Sequence, residues 1–294
     1  MPMTDLTLFI DEFPVISALF ILFVGACFGS FLNVVIHRLP LMMFKEWQVQ
    51  CHELNADPFL AEIPDKPVSL ASPASSCPSC STPIHPLHNI PILSYLWLRA
   101  RCAKCGTGIS PRYFFVELTC AGLAYFVFAT YGPNLQGLFI TIFTFLLVPL
   151  IFIDIKHKLL PDNITYLLLW AGVIFSLSGS GIPLKASIIG IIIGYLSLWS
   201  VYYLFKLVTG KEGMGHGDFK LLAAIGAWVG WQQLLTVILI SSVAGTIAGI
   251  IFIIHARRHN ETITSIPFGP YLAVGGWVSL IWGERLSHWY LTTF

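Results

Sequence analysis

Long apolar runs separated by short polar breaks dominate this chain. Runs at 15–36, 114–131, 135–153, 163–178, 184–205, 233–254 and 268–289 approach the roughly 20 residues that an α-helix needs to span a bilayer. An eighth run, 219–231, is short and marginal as a full span. Polar punctuation marks the turns, as at Gly132-Pro133-Asn134. The pattern predicts an all-α polytopic membrane protein with about eight transmembrane helices. Residues 37–112 break the pattern: they hold most of the prolines, many of the charges and no spanning run. They read as a soluble insert after the first helix. The expected organisation is therefore 1–36 as the N-terminal segment and first helix, 37–112 as the insert, and 113–294 as a transmembrane domain. Near the end of the first run lies Gly29-Ser30-Phe31-Leu32-Asn33. Its small residues suit helix packing, and Asn33 is alternatively a polar contact for a substrate or an active site.

Composition agrees: 56% of the 294 residues are hydrophobic and 11% are charged, against about 25% charged in an ordinary soluble domain. A net charge of +1 offers nothing to a nucleic acid, and none is expected as a partner. The chain starts acidic (Asp5, Asp11, Glu12), unlike a cleaved signal peptide, so the first run reads as a retained helix. Basic residues give the orientation. The insert carries Arg38, Lys45, Lys66, Arg99, Arg101, Lys104 and Arg112, and later loops carry Lys156, Lys158, Lys206, Lys211, Lys220, Arg257 and Arg258. If the helices alternate, these 14 of the 16 basic residues share one side, leaving Lys185 and Arg285 on the other. The positive-inside rule makes the shared side cytoplasmic.

Two of the seven cysteines form Cys77-Pro78-Ser79-Cys80 and two form Cys102-Ala103-Lys104-Cys105, with 21 residues between the pairs. Paired CxxC turns in a reducing compartment suit one tetrahedral zinc ion held by four thiolates. Such a site supplies folding free energy on the order of 10 kcal/mol to an insert with little core of its own. Disulfides or redox thiols are the alternatives. Cys51-His52 makes a poor further metal site, and Cys27 and Cys120 read as buried membrane residues.

The acids carry the candidate chemistry, since a carboxylate in hydrocarbon costs about 2.5–3.5 kcal/mol at a helix centre on insertion scales. Asp154 directly follows the run 138–153 and has no local structural excuse. Asp162, after Leu160-Pro161, reads as a helix N-cap. Asp218 closes Gly213-Met214-Gly215-His216-Gly217-Asp218. It is either the cap of a helix starting at Phe219 or the partner of Asp154. Gly213, Gly215 and Gly217 would let an extended peptide approach the backbone there. No strand precedes these glycines, so a nucleotide loop is a weak reading. Two adjacent aspartates sharing one proton suit hydrolysis of a peptide bond without a covalent intermediate. No Ser-His or Cys-His set stands out, and HExxH is absent. His216 is either a solvated loop residue or a neighbour that tunes the acids.

The chain resembles the type IV prepilin peptidases, GxGD-type aspartic proteases of bacterial inner membranes that also act as N-methyltransferases. The matching pieces are Gly29 to Val34, the two CxxC pairs, Pro111-Arg112-Tyr113 with Val116-Glu117, Asp154 through Asp162, Gly213 to Lys220, and Pro267-Phe268-Gly269-Pro270. The resemblance implies Asp154 and Asp218 as the catalytic pair. It implies prepilin and pseudopilin substrates, whose short basic leaders are cut off at the cytoplasmic face. It also implies methylation of the new N-terminal residue by S-adenosylmethionine, with no residues assigned to the donor; the insert and nearby cytoplasmic loops are the expected region. A peptidase without methylation, and a transporter or zinc-stabilised scaffold whose acids carry ions, are the competing readings. A transporter would show paired internal repeats with broken helices, and the sequence offers no convincing repeat.

Overall fold

The structure is a computed structural model and describes residues 10, 12–55, 69–211, 213–259 and 266–293. Asp5, Asp11 and Lys66, and the side chain of His52, lie outside the described residues. Helices are the only regular elements among the described residues, apart from two isolated bridges in the insert. Each of the eight apolar runs is one helix. These are α1 (Pro14–Asn55), α3 (Pro111–Tyr131), α4 (Leu135–His157), α5 (Asp162–Leu177), α6 (Leu184–Thr209), α7 (His216–Val229), α8 (Leu234–His259) and α9 (Gly269–Thr293). A short helix, α2 (Leu93–Trp97), lies in the insert. Five of the described helical segments (Pro14–Cys51, Pro111–Tyr131, Leu135–His157, Leu184–Thr209 and Trp231–Arg258) are long and apolar enough to cross a membrane. Helix α7, with 14 residues, is only about 21 Å long and falls short of a hydrocarbon core of about 30 Å.

The chain divides into two compact units, residues 1–137 and 138–294. In the first, α1 packs along α3. Gly25 and Gly29, four residues apart, let the backbones meet: a Cβ on Gly29 would lie 2.7 Å from Glu117 Cα, and one on Gly25 would lie 2.9 Å from Ala121 Cα. Helix α3 starts where its sequence says it should. Ser110 caps it, its hydroxyl accepting the Arg112 N–H, and Pro111 follows at the first helical position.

One boundary differs from the sequence expectation. The first helix does not end at residue 36; it runs through Pro40 to Asn55. Proline removes one backbone donor from a helix interior. Here the flanking turn is nevertheless held, because Ile36, Leu39 and Pro40 are buried. Arg38 in that turn donates to the carbonyls of Ser69, Leu70 and Pro73, tying the insert to the helix.

In the second unit α7 is the centre. From Asp218 to Val229 all but Lys220 are buried, enclosed by α5, α6 and α9. Trp228 at its far end is fully buried among Phe139, Phe143 and Phe175, and its Nε1 donates to the Leu168 carbonyl at 2.8 Å. Helix α6 comes close through Gly194, whose Cβ would lie 2.8 Å from the Leu222 carbonyl oxygen. Gly29→Leu would force α1 off α3; it is expected to cost about 1–3 kcal/mol, the usual range for overpacking. Thermal unfolding in detergent measures this, and an unchanged midpoint would mean the two helices do not meet at that residue.

Candidate functional site

Asp154 stands in the last turn of α4 and Asp218 in the first turn of α7. Local sequence sets both places. Helix α4 is stopped by Lys158, which adopts a left-handed φ of 54° while its N–H donates to the Asp154 carbonyl. Leu159-Leu160-Pro161 then leads into α5, where the N–H groups of Ile164 and Thr165 donate to the Pro161 carbonyl. Helix α7 starts one turn earlier than its apolar run, with Gly215 at the N-cap position. Asp218 is therefore the third helical residue and not the cap. A carboxylate here also lies at the favourable end of the helix dipole.

Asp154 is 5% exposed and Asp218 8% exposed. The charge of Asp154 acts directly on Asp218. Neither acid is paired with a Lys, Arg or His among the described residues, and Asp154 Oδ2 is buried with no hydrogen-bond partner. Leu160 and Gly269 complete the surroundings. The backbone N–H of Gly269 lies beside the Asp154 carboxylate, and a Cβ on Gly269 would sit 2.5 Å from Asp154 Oδ2 and 3.1 Å from Leu160 Cδ2. Only a residue without a side chain fits there.

Asp162 is a different kind of acid. It is the first residue of α5, with Pro161 at the N-cap position, so the capping expectation does not hold. Both of its oxygens accept from Lys220 Nζ at 2.8 Å, and Lys220 also lies over the Tyr166 ring at 5.6 Å. That half-exposed ion pair joins α5 to α7 just beyond Asp218. The three glycines also divide. A Cβ on Gly213 would meet the Phe205 ring at 2.8 Å, and one on Gly217 would meet Leu160 Cβ at 2.9 Å, so the chain itself fills their space. Beside Gly215 the nearest atom to such a Cβ is Asp218 Oδ2 at 3.8 Å. Gly215 alone of the three leaves open room at the acid. His216 is exposed and meets the Tyr202 ring edge-on and the Phe219 ring at a tilt.

The four paired cysteines form a second centre, in the first unit. Their sulfurs lie within 4.8 Å of one another, and Cys77 Sγ and Cys105 Sγ are 3.7 Å apart. A tetrahedral ion with metal–sulfur bonds of about 2.3 Å, the zinc value, spaces its sulfurs by about 3.8 Å. The cluster therefore fits a metal, and all four cysteines are free of disulfides. The two turns are copies of each other. The N–H of Cys77 donates to the Thr82 carbonyl and that of Cys102 to the Thr107 carbonyl. Ser81 and Gly106, each following a second cysteine, both have left-handed φ values, 53° and 71°. The Thr82 and Thr107 hydroxyls lie 3.3 Å from the sulfurs of Cys80 and Cys105. The Thr82 hydroxyl beside Cys80, the Cys105 N–H beside Cys102 and the Thr107 hydroxyl beside Cys105 hold those three thiols below their ordinary range. Thiolates are the form a metal binds.

Sequence reasoning passed over these threonines, although the signal was there: Cys-x-x-Cys-x-Thr occurs twice. It also gave no role to Glu117, an acid inside an apolar helix. Among the cysteines outside the cluster, Cys120 is fully buried against α1, Cys27 is half-buried and Cys51 is exposed.

Comparison with known proteins follows the same two-part division. Residues 23–131 match the bacterial peptidase A24 N-terminal domain, and residues 140–250 match the type IV leader peptidase family. The prepilin leader peptidase/N-methyltransferase of Aeromonas hydrophila is 50% identical over 266 residues, covering 90% of this chain and 91% of that protein. The proteins of the same name from Stutzerimonas stutzeri and Pseudomonas aeruginosa are 46% and 44% identical, covering 96% and 99% of this chain and 96% and 98% of their own lengths. No solved structure matches the chain.

The purified protein is expected to carry about one metal ion per chain. Cys77→Ser should drop that well below stoichiometric, read by elemental analysis, and expose the insert to protease. Unchanged metal content would remove Cys77 from the ligand set.

Proposed function

The chain belongs to the type IV leader peptidase family, and we propose that it cuts the short basic leaders from prepilins and pseudopilins and then N-methylates the new N-terminal residue. Asp154 and Asp218 are the catalytic pair. The observation that carries this assignment is the contrast among three acids in one neighbourhood. Asp154 and Asp218 are buried with no cation paired to them among the described residues, whereas Asp162 is matched by Lys220.

Two buried carboxylates close enough for the charge of one to act on the other do not both ionise, so the pair holds one proton between them. The ionised member takes a proton from water, whose oxygen attacks the scissile carbonyl carbon. The protonated member donates to the carbonyl oxygen. When the tetrahedral intermediate collapses, a proton passes to the leaving amine and the C–N bond breaks. The open side of Gly215 is where an extended leader reaches Asp218, a narrower assignment than all of Gly213, Gly215 and Gly217. S-adenosylmethionine supplies the electrophilic methyl group for the second reaction. The thiolates of Cys77, Cys80, Cys102 and Cys105 hold a structural zinc ion. Four protein ligands leave no open coordination position, so this ion folds the insert and does not activate water.

The enzyme works in the bacterial inner membrane, with the lipid bilayer around its apolar helices and its acids and insert at the cytoplasmic face. The one-sided distribution of lysine and arginine supports that orientation.

The test uses purified protein in detergent with a full-length prepilin and S-adenosylmethionine, and mass spectrometry of the product. Leader loss with an added methyl group is expected. Asp154→Asn and Asp218→Asn should each slow cleavage by about 10²–10⁴-fold, the usual contribution of a positioned acid or base. Asp162→Asn should stay within about tenfold of the parent, since exposed ion pairs contribute little. Cleavage lost equally in all three, at equal expression, would overturn the choice of pair.

A further inference from the structure

The first unit holds a buried polar cluster that neither metal binding nor peptide cleavage uses. Glu117, in the second turn of α3, is 8% exposed. Its Oε2 accepts the Ile92 N–H at 2.7 Å, and the Ser30 hydroxyl lies beside the carboxylate. Asn33, one turn further along α1, is 2% exposed; its Nδ2 donates to the Tyr113 carbonyl at 3.1 Å. Asn33 Oδ1 is buried with no hydrogen-bond donor. Gly29 keeps α1 flush against Glu117, so Ser30 and Asn33 face the acid and the turn before it.

Three properties of this cluster point to a ligand. Its buried carboxylate has only neutral donors, with no Lys, Arg or His paired to it among the described residues. One turn along the same helix seam, the buried Asn33 Oδ1 lacks the donor that a buried acceptor requires, and leaving one unmade costs about 1–3 kcal/mol. Ile92, which supplies one of the neutral donors, has φ 62° and ψ −53°, a conformation rare for a β-branched residue. Strain of this kind collects at ligand sites, where surrounding structure enforces it. What is missing is a compact group with several N–H donors and a positive charge.

We propose that Ser30, Asn33 and Glu117 form a binding site for a primary ammonium group, used in the methyl transfer described above. Glu117 matches the charge, and Asn33 Oδ1 accepts one of the N–H bonds. Two groups that arrive as ammonium ions take part in that reaction: the N-terminus of the cut pilin, which gives up a proton before its nitrogen attacks the methyl group, and the amino-acid end of S-adenosylmethionine. The site serves one of them. This inference rests on the methyltransferase half of the proposed function, and the experiment separates the two. If the parent protein adds no methyl group to a cut prepilin, that half of the function fails, whatever Glu117 does.

Glu117→Gln keeps an acceptor for Ile92 and removes the charge. Asn33→Leu removes the unpaired oxygen at similar volume. Zinc content reports folding of the first unit. With zinc retained, each variant should lower the ratio of methylation to leader cleavage by about tenfold or more, as expected for loss of a charge-assisted hydrogen bond. Equilibrium dialysis with labelled S-adenosylmethionine, and with a synthetic peptide bearing a free pilin N-terminus, identifies the source. Weaker donor binding assigns the site to the donor's amino group, and weaker peptide binding assigns it to the pilin amine. Methylation unchanged in both variants, or reduced with neither ligand bound more weakly, overturns the proposal. Loss of zinc in both variants also overturns it, because the cluster is then a structural clamp on the insert. If only one variant loses zinc, the other decides.

Discussion

A carboxylate withdrawn from water needs a cation, a proton or a set of donors, and the second unit is built around two that have no cation paired to them among the described residues. Helix α7 creates this situation. It is enclosed along almost its whole length by α5, α6 and α9, so its first turn is fixed as firmly as its last. Asp218 therefore cannot swing out to solvent, and Asp154 is held beside it by the tight stop of α4 at Lys158. Proton sharing is the way such a pair stays buried. Trp228 at one end of α7 and the Asp162–Lys220 pair at the other set the depth at which Asp218 sits.

The first unit solves a different problem with other means. An insert with few buried side chains cannot fold on apolar burial alone. Two copies of one turn, Cys77 to Thr82 and Cys102 to Thr107, supply sulfurs, N–H donors and hydroxyls in matching positions. Two further contacts tie this insert to the helix pair. Arg38 reaches out from α1 to three carbonyls, and Glu117 reaches from α3 to the N–H of Ile92. The second contact uses a charged group where a neutral one would tie the chain as well, which is why Glu117 stands out from its surroundings.

The candidate site was partly legible in the residue order. Asp154 was recognisable because nothing local explained an acid at the end of an apolar run. Asp218 was not separable from a helix cap, since an aspartate after glycines is a common N-terminus. The start of α7 at His216 decided it. Asp162 read as a cap because its Lys220 partner is 58 positions away. The glycines read as open space for a peptide. Contacts with Phe205 and Leu160, invisible in the sequence, leave that description to Gly215 alone.

The residue order by itself determined that the described chain is built of apolar helices, one for each apolar run, and that four cysteines share one metal-binding fold. Those properties depend on local hydrophobic length and local spacing, which the chain carries explicitly. Only the tertiary structure decided which acids lose their water, that α1 continues past Pro40, and that Asn33 and Glu117 are both buried where α1 meets α3. Those outcomes depend on which faces of distant helices meet. Helices as apolar all round as these carry almost no record of that choice, because nearly every face is apolar enough to be buried.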